Sequence, residues 1–152
     1  MADKQLRVAD FMTAEPVTLQ VSDHLDLTRD LTILDHIPQR PVLSDGQLVG
    51  VVTQRDLFRA AISSTFGLSL TGQRAWLAKI PVAEVMTAEV ITANIDWTVQ
   101  RAVDAMLVRR IGCLPVIDGE RLAGLMTTRD CLRILSGVLS ALGLYSAAGA
   151  RP

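Results

Sequence analysis

A chain of 152 residues has room for one well-packed core or for two small ones that support each other. Hydrophobic residues make up 49% of it, aromatics 4% and charged residues 20%, which excludes a disordered chain and calls for an aliphatic interior. The formal net charge of -1 provides no basic field, so neither nucleic acid nor an anionic membrane is an expected partner.

The first residues, Met-Ala-Asp-Lys-Gln, carry no apolar signal stretch. Only two cysteines occur, Cys113 and Cys131, and the histidines, His24 and His36, lie far from both. Neither a disulfide framework nor a zinc site is expected, and a reducing cytoplasm fits best.

From Val8 onward the chain repeats itself. Shifted by 74 positions, Val8–Phe58 lies on Val82–Leu132 without a gap, with sixteen identities in 51 positions. Average amino-acid usage gives roughly three by chance. Each copy begins with a β-prone stretch, Pro16–Leu19 in the first and Val90–Thr92 in the second. Helical spacing follows, through Leu27, Leu31 and Leu34 in one copy and Val99, Val103, Met106 and Leu107 in the other. Next come two apolar strands around a tight turn. They are Pro41–Leu43 and Leu48–Val52 around Ser44-Asp45-Gly46, then Pro115–Ile117 and Leu122–Met126 around Asp118-Gly119. A second helix starts at Thr53 or Thr127.

The unit therefore reads β-α-β-β-α, and the fold class is mixed α+β. One such unit has too little interior to stand alone, so two are expected to pack sheet to sheet as a pseudo-twofold pair. The expected layout is a first domain at 8–58, a linker at 59–81, a second domain at 82–132 and a C-terminal helix and tail at 133–152. In the linker, Trp76, Leu77 and Ile80 follow a Gly67–Gly72 break and are expected to form a helical turn packed on the core. The uncharged run Ile134–Ala150 is only 17 residues long and is broken by three serines and three glycines, so no membrane span is expected.

The chemistry concentrates where the last strand of each copy meets its second helix. In Gly50-Val51-Val52-Thr53-Gln54-Arg55-Asp56, Gly50 permits a close backbone approach and Thr53 sits at a helix N-cap. There a hydroxyl and free N–H groups can meet a phosphate. Arg55 adds a forked cation for phosphate oxygens, and Asp56 is an acceptor able to hold two ribose hydroxyls. Gly124, Thr127, Arg129 and Asp130 repeat the set. Thr-x-x-Asp is equally close to a capping box, in which the carboxylate serves only the helix end. The chain contains no cysteine–histidine pair, serine-triad spacing, metal motif or Walker loop, so no catalytic or metal-binding residue is expected.

The openings Asp-Phe-Met-Thr and Glu-Val-Met-Thr, with Gly-x-x-Thr-x-Arg-Asp closing each copy, resemble the cystathionine-β-synthase-type (CBS) domain family. The resemblance spans residues 8–58 and 82–132. It implies a regulatory pair that binds AMP, ADP or ATP, or less often S-adenosylmethionine or NAD, and that commonly dimerises into a disc. No cofactor is required, and AMP or ATP is the expected ligand. The resemblance also implies an adenine pocket that joins the closing motif of one repeat to the strand start and loop of the other. One site would combine Thr53, Arg55 and Asp56 with Val90, Ile91, Ile111 and Gly112. The other would combine Thr127, Arg129 and Asp130 with Thr13, Pro16, Val17, Ile37 and Pro38. Each of these apolar residues also suits plain core packing.

The copies differ at Pro38/Gly112, Arg40/Leu114 and Asp23/Trp97, so the two sites are expected to be unequal. The first should bind more tightly, because the N–H groups of Ile111 and Gly112 face the purine edge while Pro38 has none. Apolar residues on the second helices (Leu57, Phe58, Ala61, Ile62; Leu132, Leu135, Val138, Leu139, Leu142) point to a homodimer. Any output is expected to pass through a separate effector protein.

Overall fold

A computed structural model describes residues 5–27, 39–63 and 66–144. In chain order the first described elements are α1 (Val8–Phe11), β1 (Thr13–Ala14), β2 (Leu19–Gln20), β3 (His24–Leu25), β4 (Arg40–Ser44) and β5 (Gln47–Val52). Then come α2 (Gln54–Ser63), α3 (Leu70–Leu77), β6 (Ile80–Pro81), α4 (Val82–Val85) and β7 (Ala93–Asn94). The series closes with α5 (Val99–Arg109), β8 (Cys113–Asp118), β9 (Arg121–Thr127) and α6 (Thr128–Ala141). The mixed α+β class expected from the repeats is what the chain adopts.

Two compact units form. One holds Met1–Glu15, Thr92–Gly119 and Ala123–Pro152; the other holds Pro16–Ile91 with Glu120–Leu122. Each is therefore built from the opening segment of one repeat and the body of the other.

In the unit of Pro16–Ile91, β2 runs parallel to β4 and β5 runs antiparallel to it, in the order β2-β4-β5. The β4–β5 turn is two residues long, with Asp45 at φ 50 and Gly46 at φ 79. Both angles are positive, as the right-handed twist of a two-residue hairpin requires, and Asp-Gly accommodates them. The ladder slips between Val42, opposite Gly50, and Leu43, opposite Leu48, so Val49 is an extra residue. Leu27, Val42, Val52, Leu57, Ala60, Ile80 and Val82 form the core, with Trp76 and Leu77 of α3 packed on it. Each fully buried aliphatic side chain contributes about 1.5–3 kcal/mol over its exposed state. Ser69 caps α3 by accepting the Gly72 N–H at 3.2 Å.

The other unit carries the sheet order β1-β9-β8-β7, with β7 parallel to β8. Val8, Ala93, Val99, Ala102, Met106, Leu114, Val116, Leu125 and Met126 are buried. Thr98 caps α5, which ends on Arg110 in the left-handed region at φ 54. The Ile111 N–H bonds back to the Met106 carbonyl at 3.0 Å to complete that end.

Two expectations need correction. The opening strands are only two residues long and start later, at Leu19 and Ala93, because ladder pairing begins opposite Val42 and Val116. The β-prone residues upstream find no strand partner, and Val17 is 63% exposed. On α5 the buried stripe is Val99, Ala102 and Met106, while Leu107 is 71% exposed. The i+8 position drifts off a stripe already filled at i+3 and i+7. The first-copy helix through Leu31 and Leu34 lies outside the described residues; Leu27, which opens its spacing, is buried.

The repeated glycines explain how each opening segment attaches. A Cβ on Gly50 would fall 2.6 Å from the Met86 sulfur and 3.1 Å from the Thr87 carbonyl oxygen. On Gly124 it would fall 2.6 Å from the Met12 sulfur and 2.8 Å from the Thr13 carbonyl oxygen. The Thr87 amide and carbonyl bond to Val51, and Thr13 pairs with Leu125. Hence Gly124→Ala should lower stability by about 1–3 kcal/mol, since backbone must shift. Gly137→Ala, inside α6 with nothing within 4 Å of a new Cβ, should raise it by about 0.5–1 kcal/mol. Urea unfolding of the two variants measures both signs.

Candidate functional site

The closing motifs place their polar residues in the same way in both units. At the start of α2, Asp56 Oδ2 accepts from the Thr53 N–H at 2.8 Å and from the Thr53 hydroxyl at 2.7 Å. The Thr53 oxygen accepts the Asp56 N–H at 3.3 Å in return. At the start of α6 the corresponding Thr127–Asp130 distances are 2.8, 2.7 and 3.3 Å. Both carboxylates are buried, Asp56 to 7% and Asp130 to 4% exposure. The capping box is therefore formed, and it holds each carboxylate in a fixed direction.

That geometry leaves limited acceptor capacity. A carboxylate has about four lone-pair positions, and the two on Oδ2 are taken. Any further donor must therefore approach Oδ1. At Asp56, Oδ1 already accepts the Thr87 hydroxyl at 3.1 Å, with one lone pair left over. At Asp130, Oδ1 faces Arg133 Nη1 at 3.6 Å.

Arg55 and Arg129 are exposed on the first turns of α2 and α6. Val90 and Ile91 are half-buried and share the unit of Thr53, Arg55 and Asp56, as do Pro16 and the exposed Val17. Thr13, Ile111 and Gly112 share the unit of Thr127, Arg129 and Asp130. Ile37 and Pro38 lie outside the described residues. The expected role of the Ile111 N–H at a purine edge is overturned, because that donor already closes the end of α5. The Gly112 carbonyl is also engaged, by the Thr128 N–H at 3.0 Å and the Thr128 hydroxyl at 3.2 Å.

An open recess of about 270 Å³ lies beside Asp56, lined among others by Trp76, Glu84, Met86 and Thr87. It is slightly below the usual range of small-molecule pockets, about 300–1,000 Å³. Among the described residues no group of three His, Cys, Asp or Glu is placed to hold a metal ion. Among them, too, no helix is long and apolar enough to cross a membrane.

Two contributors escaped the sequence reading. Thr87 stood among the repeat identities without a role. Arg59 and Arg133 are a seventeenth identity at the same 74-residue offset, one residue past the ends of the aligned segment.

The CBS domain model matches residues 8–63 and 82–137. The chain belongs to the CBS domain family. It is similar to AcuB from Vibrio cholerae, with 27% identity, a TM-score of 0.72 and coverage of 93% of this chain and 98% of that one. It is similar also to the CBS domain pair of protein MJ0100 in complex with 5′-methylthioadenosine and S-adenosylmethionine. There the identity is 26%, the TM-score 0.68 and the coverage 88% and 98%. Among curated relatives, protein MJ1225 of Methanocaldococcus jannaschii is 26% identical over 133 residues, which are 86% of this chain and 48% of the relative. The chain thus spans about half of that protein's length, and about a quarter of others that it matches.

Beside the second CBS closing motif, burial pushes the Cys131 thiol above its usual range, and the Asp130 carboxylate pushes it further. A raised pKa means less thiolate at a given pH. Alkylation of Cys131 at pH 8 should therefore be slower than that of an unhindered thiol. Asp130→Asn should move its pH–rate profile to lower pH. Iodoacetamide labelling read by mass spectrometry across pH 7–10 checks this, and an unmoved profile would remove Asp130 as a cause.

Proposed function

We propose that this CBS pair is a regulatory module that binds an adenine nucleotide, AMP or ATP, and passes the bound state to a separate effector protein in the cytoplasm without catalysing a reaction. One observation carries the reading: both units present a buried, rigidly aimed carboxylate at a helix N-terminus with one oxygen still able to accept. A capping role needs only Oδ2. The open Oδ1 suits one ribose hydroxyl, and the first-turn Arg55 or Arg129 suits phosphate oxygens. The aliphatic residues Val90, Ile91, Ile111, Pro16 and Val17 are the proposed walls for the base, together with Thr13, Gly112, Ile37 and Pro38.

A second reading is a sulfur-bearing adenosine ligand. It is favoured by the likeness to the MJ0100 pair, whose complex holds 5′-methylthioadenosine and S-adenosylmethionine.

Calorimetric titration with AMP, ATP, S-adenosylmethionine, 5′-methylthioadenosine and NAD separates these readings. AMP or ATP should bind and raise the melting temperature. Asp56→Asn and Asp130→Asn should each weaken one event by about 1.5–3 kcal/mol, the size of a hydrogen bond to a charged group. Because Asp56 Oδ1 keeps one lone pair beside the Thr87 hydroxyl, 2′-deoxy and 3′-deoxy ligands should differ at that site, with only one of them losing affinity there. If no adenosine ligand moves the melting temperature at millimolar concentration, the chain is instead a ligand-free interaction module.

The same module is proposed to be a homodimer. Phe58 at 60% and Ile62 at 47% exposure on α2, and Leu132 at 60% and Leu135 at 51% on α6, are apolar surface of the kind that a second copy covers. Light scattering should give about twice 16.5 kDa at micromolar concentration, and a monomeric mass would sink this part.

A further inference from the structure

The two carboxylates are held by chemically different neighbours, although the repeat places an arginine three residues after each. At Asp56, Oδ1 takes a hydrogen bond from a neutral hydroxyl, that of Thr87, at 3.1 Å. At Asp130, Oδ1 faces the Arg133 guanidinium at 3.6 Å, on a side chain that is 68% exposed. Arg59 is the repeat equivalent of Arg133. A neutral donor and a mobile cation have opposite consequences for a ligand that needs the same oxygen.

We propose that Arg133 is a charge-selecting residue that makes the Asp130 site discriminate between anionic and neutral adenosine ligands more sharply than the Asp56 site does. The proposal rests on the adenosine-ligand reading given above. In the empty protein Arg133 screens a carboxylate that burial would otherwise leave exposed to a one-sided desolvation cost. A neutral nucleoside that places a ribose hydroxyl on Oδ1 competes with the guanidinium for that oxygen's charge and gives it nothing in exchange. A nucleotide brings a phosphate one ribose ring away, and the released guanidinium can swing to it on its long, mostly solvated stem. Both effects act in one direction: they raise the preference for AMP over adenosine. At Asp56 no ion pair forms at Oδ1 among the described residues, and the Thr87 hydroxyl can stay in place while the second lone pair accepts the ribose.

The test is two-site calorimetry with AMP and with adenosine on the full chain, comparing native protein, Arg133→Gln and Arg59→Gln. Glutamine removes the charge while keeping an unbranched polar side chain, and neither arginine is part of the capping boxes, so both variants should fold; unchanged circular dichroism and melting temperature check this. Arg133→Gln should lower the AMP-to-adenosine affinity ratio of one binding event by about three- to fivefold, the range open to a largely solvated ion pair. It should also flatten the salt dependence of that ratio. Arg59→Gln, at a residue that lines the recess beside Asp56, should lower the ratio of the other event by less than Arg133→Gln lowers its own. Equal ratios in all three proteins, or equal losses in both variants, overturn the selection role while leaving adenosine binding intact. Failure of AMP and adenosine to bind native protein overturns the adenosine-ligand reading and this inference with it.

Discussion

The absence of a side chain at Gly50 and Gly124 is the constraint on which the remaining architecture depends. Only without a Cβ can the opening Met-Thr segments lie against the ends of β5 and β9, with the Met86 and Met12 sulfurs where that atom would otherwise stand. That close approach lets Thr87 exchange backbone hydrogen bonds with Val51, and it brings the Thr87 hydroxyl to Asp56. Two residues further on, the same strand ends deliver Thr53 and Thr127 to their helix caps. A packing requirement at one glycine therefore fixes the direction of a carboxylate six residues later.

The carboxylates do two jobs, and the geometry separates them by atom. Oδ2 completes the capping box and is saturated by it. Oδ1 is the oxygen through which each site differs from the other and from a mere cap. A helix cap is usually exposed and worth about 1 kcal/mol. Here a half-buried threonine grips a buried carboxylate, which keeps the open oxygen aimed without the entropy that an exposed aspartate would lose on binding.

Much of this was legible in the residues. The 74-residue offset is visible in the chain itself, and the β-hairpin turn at Asp45-Gly46 and the helix starts at Thr53 and Thr127 follow from local rules, because each depends on neighbours close in sequence; the second turn falls one residue later than Asp118-Gly119, at Gly119-Glu120. What the residues did not reveal depends on partners far away. β-propensity marked Pro16–Leu19 and Val90–Thr92, yet pairing is decided by where β4 and β8 present their backbone. Leu107 fitted a helical period whose buried arc Ala102 and Met106 had already filled. The Ile111 N–H looked available to a ligand because a left-handed Arg110 at the end of α5 gives no signal in composition. Arg133 was hidden more simply, one position beyond the segment in which the repeat was counted.

The exchange of opening segments between repeats bears on how such a chain can arise. A half-length precursor, with one opening segment and one body, carries both a glycine seat and the Met-Thr segment that fills such a seat. The arrangement seen here is never closed within one repeat: Met86 fills the seat of Gly50, and Met12 fills that of Gly124. Two separate half-length chains would reproduce that pattern only by trading their N-terminal segments, as a symmetric, obligately paired molecule. Tandem duplication then needs no new contact at all. It makes covalent an exchange that was already reciprocal, and it leaves identical repeat residues, Thr13 and Thr87 or Arg59 and Arg133, free to take different partners around the two carboxylates.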